Sequence, residues 1–350
     1  MRKRNSIATF ASRIVVLTFA SLLFAVALSG RSFGEEKSAD ELVALLNARI
    51  NAEWEIPATI PEKVVACEQR GRKVMIFKSD ADWNDPESVL WEWDPGVALP
   101  EAQAAWFNFI DECKPALGDS AVLVNASGGG AAMIRLKDKK LLFLGRPDGN
   151  THSIALLPDG NVVTASSTGN FLALFVVATD AADRDEVEVT PVYKKYELVD
   201  AHGVVWDAKR ATLWALGGNE LLGFEYVGTK DAPELREIFR HELVGTQSGG
   251  HDLYPAPGYD ALMTTGDGIN VFDPVKRVFT TISETDNVKS ISLAPDGSTL
   301  MLRAEENWWS DSVYFGDVNK TRVGQLDGAR FYKARWFLPN AFSEPNDSNP

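Results

Sequence analysis

The chain shows two kinds of hydrophobic pattern after its first 34 residues. Between Ser38 and Glu53, apolar side chains recur every three or four positions, which predicts an amphipathic helix. Ser38 is a suitable N-cap because its hydroxyl can accept a hydrogen bond from an unpaired backbone N–H of the first turn. After Pro57 the pattern changes to short apolar runs separated by Gly, Pro, Asp and Asn, which is typical of β-strands and turns.

The strand pattern repeats along the chain. Four segments share a strand, a turn of small residues and a second strand, and they begin at Ala121, Asn161, Ala211 and Tyr259. A further set of strands opens with a basic or potentially basic residue, at His152, His202, His251 and Lys289. These four starts are 50, 49 and 38 residues apart. Repeats of this length with four strands each are typical of β-propeller blades.

The repeat predicts an all-β fold, a six-bladed β-propeller preceded by a short helical segment. Five complete blades are predicted, at 109–144, 152–193, 202–241, 251–280 and 288–326. The first blade, at 63–93, has only three strands, and we expect its innermost strand to come from the C-terminal segment after Phe331. Such a closure leaves no open sheet edge. A β-sandwich is the alternative, but it would not require repeats of this length.

The first 34 residues are predicted to be a secretory signal peptide. Four basic side chains precede an apolar run from Ile14 to Leu28, and small residues follow it. A membrane anchor is the alternative, but the run is shorter than a span of about 20 residues. The predicted domain organisation is therefore a signal peptide at 1–34, a helix and linker at 35–60, the propeller at 61–340 and a disordered tail at 341–350.

Charge narrows the classes of partner. Residues 1–34 contain five Lys or Arg and no Asp or Glu, so their removal lowers the formal net charge from −14 to −19. This strong negative charge argues against nucleic acids and anionic membrane surfaces as binding partners. We expect a secreted or periplasmic monomer that binds no nucleic acid and, after signal cleavage, no membrane.

The cysteines and the common catalytic motifs leave function open. Cys67 and Cys113 are the two cysteines of the chain, and they could pair in an oxidising compartment or remain as buried thiols. Neither a C-x-x-C motif nor a Cys/His zinc spacing occurs. No G-x-S-x-G, P-loop, H-E-x-x-H or dinucleotide-binding motif occurs either, so no catalytic residue can be assigned from motifs.

Equal register on successive blades brings residues together around the axis of a propeller. Three of the four histidines of the chain share one register, at the start of an innermost strand. Lys289 occupies it in a fourth blade, and Lys114 and Lys333 match it by a looser alignment. The predicted axial ring therefore consists of Lys114, His152, His202, His251, Lys289 and Lys333. The alternative is that each histidine bonds a nearby carbonyl and merely fills the channel.

Tight turns inside the hairpins are predicted to open onto the mouth of this ring. In the last blade the corresponding loop is longer and carries Trp308 and Trp309, which we expect to overhang the ring. Exposed tryptophans beside a polar cavity suit a sugar or a protein partner, although they could instead pack over the blade. Glu68 and Gln69, in the matching loop of the first blade, could add contacts.

The predicted ring allows two kinds of chemistry for an anionic, carbohydrate-derived ligand. In the first, His152, His202 and His251 bind a divalent metal, and the site performs lyase or hydrolase chemistry, as in uronate lyases built on propellers. In the second, lysines and protonated histidines hold a carboxylate, sulfate or phosphate, and the protein is a binding module or an interaction scaffold. Three histidines match a metal site better than an anion cradle, for which arginine is the stronger residue.

Residues 64–338 resemble a family of secreted bacterial six-bladed propellers of uncharacterised function, domain of unknown function 6528. The matching stretches are DADWNDPESVLWEWDP near Asp80, HSIALLPDGNVV at His152 and HGVVWDAKRATLWALGGNELLGFEY at His202. The resemblance implies the propeller fold and secretion, and it implies no activity.

Overall fold

The computed structural model describes residues 36–51, 60–178, 188–316 and 321–339, so the predicted signal peptide and C-terminal tail lie outside it. Within these ranges, six four-stranded antiparallel sheets form the blades of a β-propeller. The innermost strand of each blade contacts the innermost strand of the next, and the sixth contacts the first. The predicted six-bladed propeller is therefore confirmed.

The strands of each blade follow one another outward from the axis. Blade 1 consists of Phe331–Trp336, Lys63–Glu68, Lys73–Lys78 and Val89–Trp93. Blade 2 consists of Ile110–Ala116, Ala121–Ala126, Ala131–Arg135 and Leu141–Gly145. Blade 3 consists of Thr151–Leu156, Val162–Ser166, Phe171–Phe175 and Lys194–Glu197.

Blade 4 consists of Gly203–Asp207, Thr212–Leu216, Glu220–Thr229 and Ala232–Glu242. Blade 5 consists of Asp252–Pro255, Leu262–Thr265, Ile269–Asp273 and Val278–Ser283. Blade 6 consists of Val288–Leu293, Thr299–Arg303, Ser312–Gly316 and Thr321–Gln325. The observed boundaries lie within a few residues of the predicted ones. They differ most at outer strands such as Lys194–Glu197, whose polar, largely exposed side chains give no alternating apolar pattern.

The C-terminal strand Phe331–Trp336 closes the ring as predicted. It pairs antiparallel with Lys63–Glu68, with Val65 opposite Arg335 and Ala66 opposite Ala334. The closure joins the two ends of the propeller, so every blade has four strands.

The predicted N-terminal helix spans Ala39–Asn51 and docks on the ring. Ser38 and Glu41 form a reciprocal cap: the Glu41 amide donates to the Ser38 hydroxyl at 3.3 Å, and the Ser38 amide donates to the Glu41 carboxylate at 2.8 Å. Leu42 and Leu46 are buried against blades 5 and 6. Ahead of the helix, Lys37–Ser38 forms a short parallel ladder with Tyr259–Asp260.

Short helical turns lie within blade 1, between blades 1 and 2, and before blade 5. They are the α-helical turns Pro95–Ala98 and Glu101–Ala104 and the 3₁₀ turns Pro86–Ser88, Ala105–Phe107 and Gly245–Gln247. Among the described residues, no helix has both the length and the apolar character needed to cross a membrane.

Cys67 and Cys113 face each other between blades 1 and 2 as free, buried thiols. Their Sγ atoms are 2.9 Å apart. Burial and the neighbouring Cys113 raise the pKa of the Cys67 thiol well above its usual value, so the thiol stays protonated.

Candidate functional site

A cavity of about 380 Å³ opens at the mouth of the central channel where the innermost strands begin. All six blades contribute to its wall. The lining residues are Gln69, Phe109, Asp111, Ser127, Asn150, His152, His202, His251, Lys289, Trp308 and Tyr332. Its size and mixed polar and aromatic wall are those of a small-molecule site.

The structure brings the three in-register histidines together in this cavity. The rings of His152 and His202 have centroids 4.5 Å apart, and those of His202 and His251 are 5.1 Å apart. About 50 residues separate each pair in the chain, so only the repeat of blades around the axis makes them neighbours. Lys289 of blade 6 lies beside His251 and lines the same cavity.

β-Bulges aim several of these side chains into the mouth. Asp111, His152 and Lys289 are each the extra residue of the innermost strand where the pairing register shifts. A bulge leaves its extra residue outside the ladder and redirects the side chain, which is why bulges recur beside binding sites. His202 and His251 instead come directly before the first residue of their strands.

The ring prediction needs a correction in blades 1 and 2. The register occupied by His152 falls on Asp111 in blade 2 and on Tyr332 in blade 1, and both line the cavity. Lys114 lies three residues beyond this register and Lys333 one residue beyond it. Neither blade has a histidine at the position, and the bulge that sets the register of Asp111 has no local signal in the sequence. No sequence signal other than the strand register could have found Tyr332.

Lys114 and Lys333 lie deeper, in a charged layer that fills the channel below the cavity. Arg335 donates to Glu112 at 2.9 Å and to Asp252 at 2.6 Å. Lys333 lies 3.2 Å from Asp252, and Lys114 lies 3.3 Å from Glu112. Five buried groups thus share three positive and two negative charges. Burial lowers the pKa of Lys114 to about 8, because it outweighs the nearby charge of Glu112, which raises that pKa.

Asp252, the residue after His251, belongs to this charged layer and does not line the cavity. Its carboxylate is fully buried in the channel and accepts from Lys333 and Arg335. Two neighbouring residues of the chain thus serve different parts of the channel, the imidazole in the cavity and the carboxylate in the layer below it.

Burial and the cation beside it hold His251 as a neutral imidazole. The Lys289 ammonium lies 3.1 Å from Nε2 of His251 and can only donate, so Nε2 accepts and Nδ1 carries the proton. Burial, followed by the charges of Lys289 and Lys333, lowers the pKa of His251 to about 3. The buried Nδ1 makes no hydrogen bond to any described residue.

His202 is anchored through its other nitrogen. Its Nδ1 donates to the backbone carbonyl of Asp200 at 2.8 Å, which leaves Nε2 as an acceptor. Burial and the neighbouring His152 and His251 lower its pKa well below the usual value. This bond to a nearby carbonyl is the structural role that a channel-filling histidine would have, but the ring also lines the cavity.

A hydrogen-bond chain crosses from blade 6 to blade 2 along one wall. Trp308 Nε1 donates to Gln69 Oε1 at 3.0 Å, and Gln69 Nε2 donates to Asp111 Oδ1 at 2.8 Å. Asp111 Oδ2 accepts from the Ser127 hydroxyl at 2.5 Å and lies 3.2 Å from Nδ1 of His152. These bonds fix the Gln69 amide and hold the Trp308 ring over the cavity.

The two tryptophans of the blade 6 loop have different surroundings. Trp308 lines the cavity and is 47% exposed. Trp309 is not part of the lining, and the Arg330 guanidinium lies 4.9 Å from its ring. The prediction that both overhang the ring is therefore corrected for Trp309, whose ring lies against the Arg330 guanidinium instead.

Phe109 is a second aromatic residue at the rim. It is 47% exposed and has a left-handed backbone, with φ of 57°. A bulky residue rarely adopts this conformation. Its carbonyl accepts from the Ser127 amide at 2.9 Å, which holds the turn in place beside the cavity.

A metal ion at the three histidines would require a change in the described geometry. Among the described residues, no group of three or more His, Cys, Asp or Glu side chains is arranged to hold a metal ion. Nε2 of His251 is already occupied by the bond from Lys289. A metal ligated by all three histidines would require that bond to break.

The fold and the cavity together define a six-bladed propeller with a polar site on its axis. The chain belongs to DUF6528, a family of unknown function, whose profile matches residues 39–349. No curated protein matches the chain.

Three solved structures are similar to the chain at low identity. Hydrazine synthase from Kuenenia stuttgartiensis has a TM-score of 0.43 and 12% identity, and the match covers 62% of this chain and 65% of that one. A protein of unknown function from Bacteroides caccae has a TM-score of 0.49 and 13% identity, with 79% and 98% covered. U3-55K has a TM-score of 0.44 and 11% identity, with 64% and 68% covered.

Proposed function

We propose that the axial cavity binds a small carboxylate-bearing sugar, a uronate, without a resident metal. The proposal rests on the surroundings of the Lys289 ammonium. The lysine lines the cavity, is 7% exposed and has no carboxylate partner among the described residues; its hydrogen bond goes to neutral His251. A buried cation without a counter-ion is costly, and a ligand carboxylate would offset that cost.

The electrostatics of the channel support an anionic ligand. The charged layer below the cavity has one more cation than carboxylate. Burial and the charge of Lys333 lower the pKa of Lys289, which is the response of an ammonium surrounded by too few anions. The one carboxylate in the lining, Asp111, already accepts from Gln69 and Ser127.

The rim of the cavity supports a sugar rather than an inorganic anion. Trp308 and Phe109 present half-exposed aromatic rings, which suit the apolar face of a pyranose. The Tyr332 hydroxyl adds a donor, because burial and then the charge of Asp111 raise its pKa well above the usual value. A volume of about 380 Å³ is in the range of small-ligand pockets.

The proton affinities favour binding over acid–base catalysis. A general base works best when its pKa lies near the working pH. The pKa values of His202 and His251 are both shifted well below that range, so their neutral imidazoles are weak bases. They serve better as hydrogen-bonding walls for sugar hydroxyls.

Metal-assisted lyase or hydrolase chemistry is the second candidate. The spacing of the three imidazole rings, 4.5 and 5.1 Å between centroids, favours it. It requires Lys289 to release Nε2 of His251, after which the lysine would hold the substrate carboxylate. In either case the signal peptide predicted at residues 1–34 would direct the site to the periplasm or the exterior.

Calorimetric titration with D-glucuronate tests the proposal. We expect binding to the metal-free wild type and no binding of D-glucose at the same concentration. Lys289→Met should weaken glucuronate binding at least tenfold, equivalent to about 1.4 kcal/mol. Lys194→Met, on the outermost strand of blade 3, is the matched control and should bind as the wild type does. Equal affinity of Lys289→Met and wild type, or binding only after a metal is added, would refute the proposal.

A further inference from the structure

A second cavity, of about 680 Å³, lies beside the first over blades 4 and 5. Asp200, Asn219, Glu220, Arg240 and Glu242 are among its lining residues. It is larger than the axial cavity and holds none of the histidines. We call it the blade 4 groove.

Two chain segments form the common wall of the cavity and the groove. In the segment that leads into blade 4, Asp200 lines the groove and His202 lines the axial cavity. In the segment that leads into blade 5, Gly249 lines the groove and His251 lines the axial cavity. In each segment a single residue separates the position that lines the groove from the histidine that lines the axial cavity. A ligand bound against the imidazoles therefore lies next to the groove.

The groove has the opposite charge to the axial site. It is lined by three carboxylates, those of Asp200, Glu220 and Glu242, and by one guanidinium. That guanidinium, of Arg240, is already bonded to Glu220 and Glu237. No Lys or Arg in the described ranges pairs with Asp200 or Glu242, so the groove presents unneutralised negative charge.

Glycines leave the floor of the groove open. Gly218 and Gly249 both line it, and Gly249 adopts a left-handed φ of 67°. A Cβ on Gly218 would lie 2.8 Å from the Asp200 carboxylate. The absence of side chains at these positions keeps the groove free for a ligand.

We propose that the ligand is an oligosaccharide that carries its acid group only on the unit that enters the axial cavity. This rests on the proposed uronate site. The first unit is a uronic acid held by Lys289, and the next unit lies in the blade 4 groove and is neutral. A second carboxylate there would face Asp200 and Glu242, and the repulsion between these like charges would disfavour binding. Uronic-acid-capped neutral glycans therefore fit, and polyuronates do not.

Calorimetry with three probes tests this at pH 7.5 and low salt. The probes are D-glucuronate, glucuronosyl-xylose and a disaccharide of two glucuronic acid units. We expect glucuronosyl-xylose to bind about tenfold more tightly than glucuronate, because the xylose gains contacts in the groove. The diacid should bind no more tightly than glucuronate, and its affinity should improve as salt screens the carboxylates.

Two variants and one control test whether the groove causes the differences in affinity among the probes. Glu242→Gln should tighten binding of the diacid severalfold, whereas Glu234→Gln, which removes a carboxylate from the same strand outside the groove, should not. Asn219→Trp fills the groove and should abolish the advantage of glucuronosyl-xylose over glucuronate. A diacid that binds as tightly as glucuronosyl-xylose, or a glucuronosyl-xylose no tighter than glucuronate, would overturn the inference while the uronate site stands. If none of the three probes binds, the proposed function itself fails.

Discussion

The Lys289 ammonium lies 3.1 Å from Nε2 of His251, so one hydrogen bond joins a cation of blade 6 to an imidazole of blade 5. The bond requires Nε2 of His251 to be unprotonated, and Lys289 has no negative partner among the described residues. The proposed uronate site depends on this pair in two ways. The imidazole positions the cation that would hold the carboxylate, and the cation helps to keep the imidazole uncharged.

The shifted histidines should make stability fall as the solution becomes acidic. In the unfolded chain His251 binds a proton near pH 6.5, but in the folded protein its pKa is about 3. Between these values the unfolded state holds the additional proton, so the free energy of unfolding decreases as pH falls, by about 1.4 kcal/mol per pH unit for each such imidazole. Urea unfolding of the wild type at several pH values from 7.5 to 5 would measure this slope.

His251→Gln should reduce that slope, because glutamine has no proton to bind in either state. His241→Gln is the matched control, since His241 lies on the outermost strand of blade 4, away from the cavity. Equal slopes in wild type and His251→Gln would show that His251 titrates normally in the folded protein.

Removing the closing strand should destroy cooperative folding. A chain that ends at Arg330 lacks Phe331–Trp336, which supplies the innermost strand of blade 1 and, through Arg335, the centre of the charged layer. We expect its thermal unfolding by circular dichroism to lose the sharp transition. A chain that ends at Pro339 keeps the strand and is the control. An unchanged melting transition in the shorter chain would mean that the ring closes in another way.

Arg335 should be the most sensitive member of the charged layer. It bonds both Glu112 and Asp252, and all three side chains are fully buried. Arg335→Met leaves two carboxylates short of partners, and breaking a buried ion pair on one side costs about 3–5 kcal/mol. Arg236→Met, which removes an exposed bond to Glu225, should cost no more than about 1 kcal/mol. Urea unfolding would compare them, and similar losses would contradict the prediction.

The bond from Trp308 to Gln69 should contribute to ligand affinity. Gln69→Leu removes the acceptor of the Trp308 indole and also the donor to Asp111. The ring then loses its fixed position over the cavity, and we expect glucuronate to bind severalfold more weakly. Trp309→Phe is the control, because Trp309 does not line the cavity. A shift in tryptophan fluorescence on titration should be reduced in Gln69→Leu and unchanged in Trp309→Phe.

The fold could be predicted because its signals are local and repeated. Alternating apolar runs and tight turns are set by neighbouring residues, and six copies of the pattern specify blades. The same repeat predicted that His152, His202 and His251 would meet and that the strand after Phe331 would close blade 1. Both follow from symmetry, which converts equal register into proximity.

Only the tertiary structure decided which residues complete the ring and what charge each one carries. Bulges set the register at Asp111 and Lys289, and a bulge depends on how two strands pair rather than on one stretch of sequence. Arg335 reaches Glu112 across 223 positions of the chain, so no local pattern could show that the lysines at 114 and 333 belong to a buried ion layer. The same burial lowers the pKa of His251, because proton affinity depends on solvent and neighbouring charges that exist only after the blades have closed.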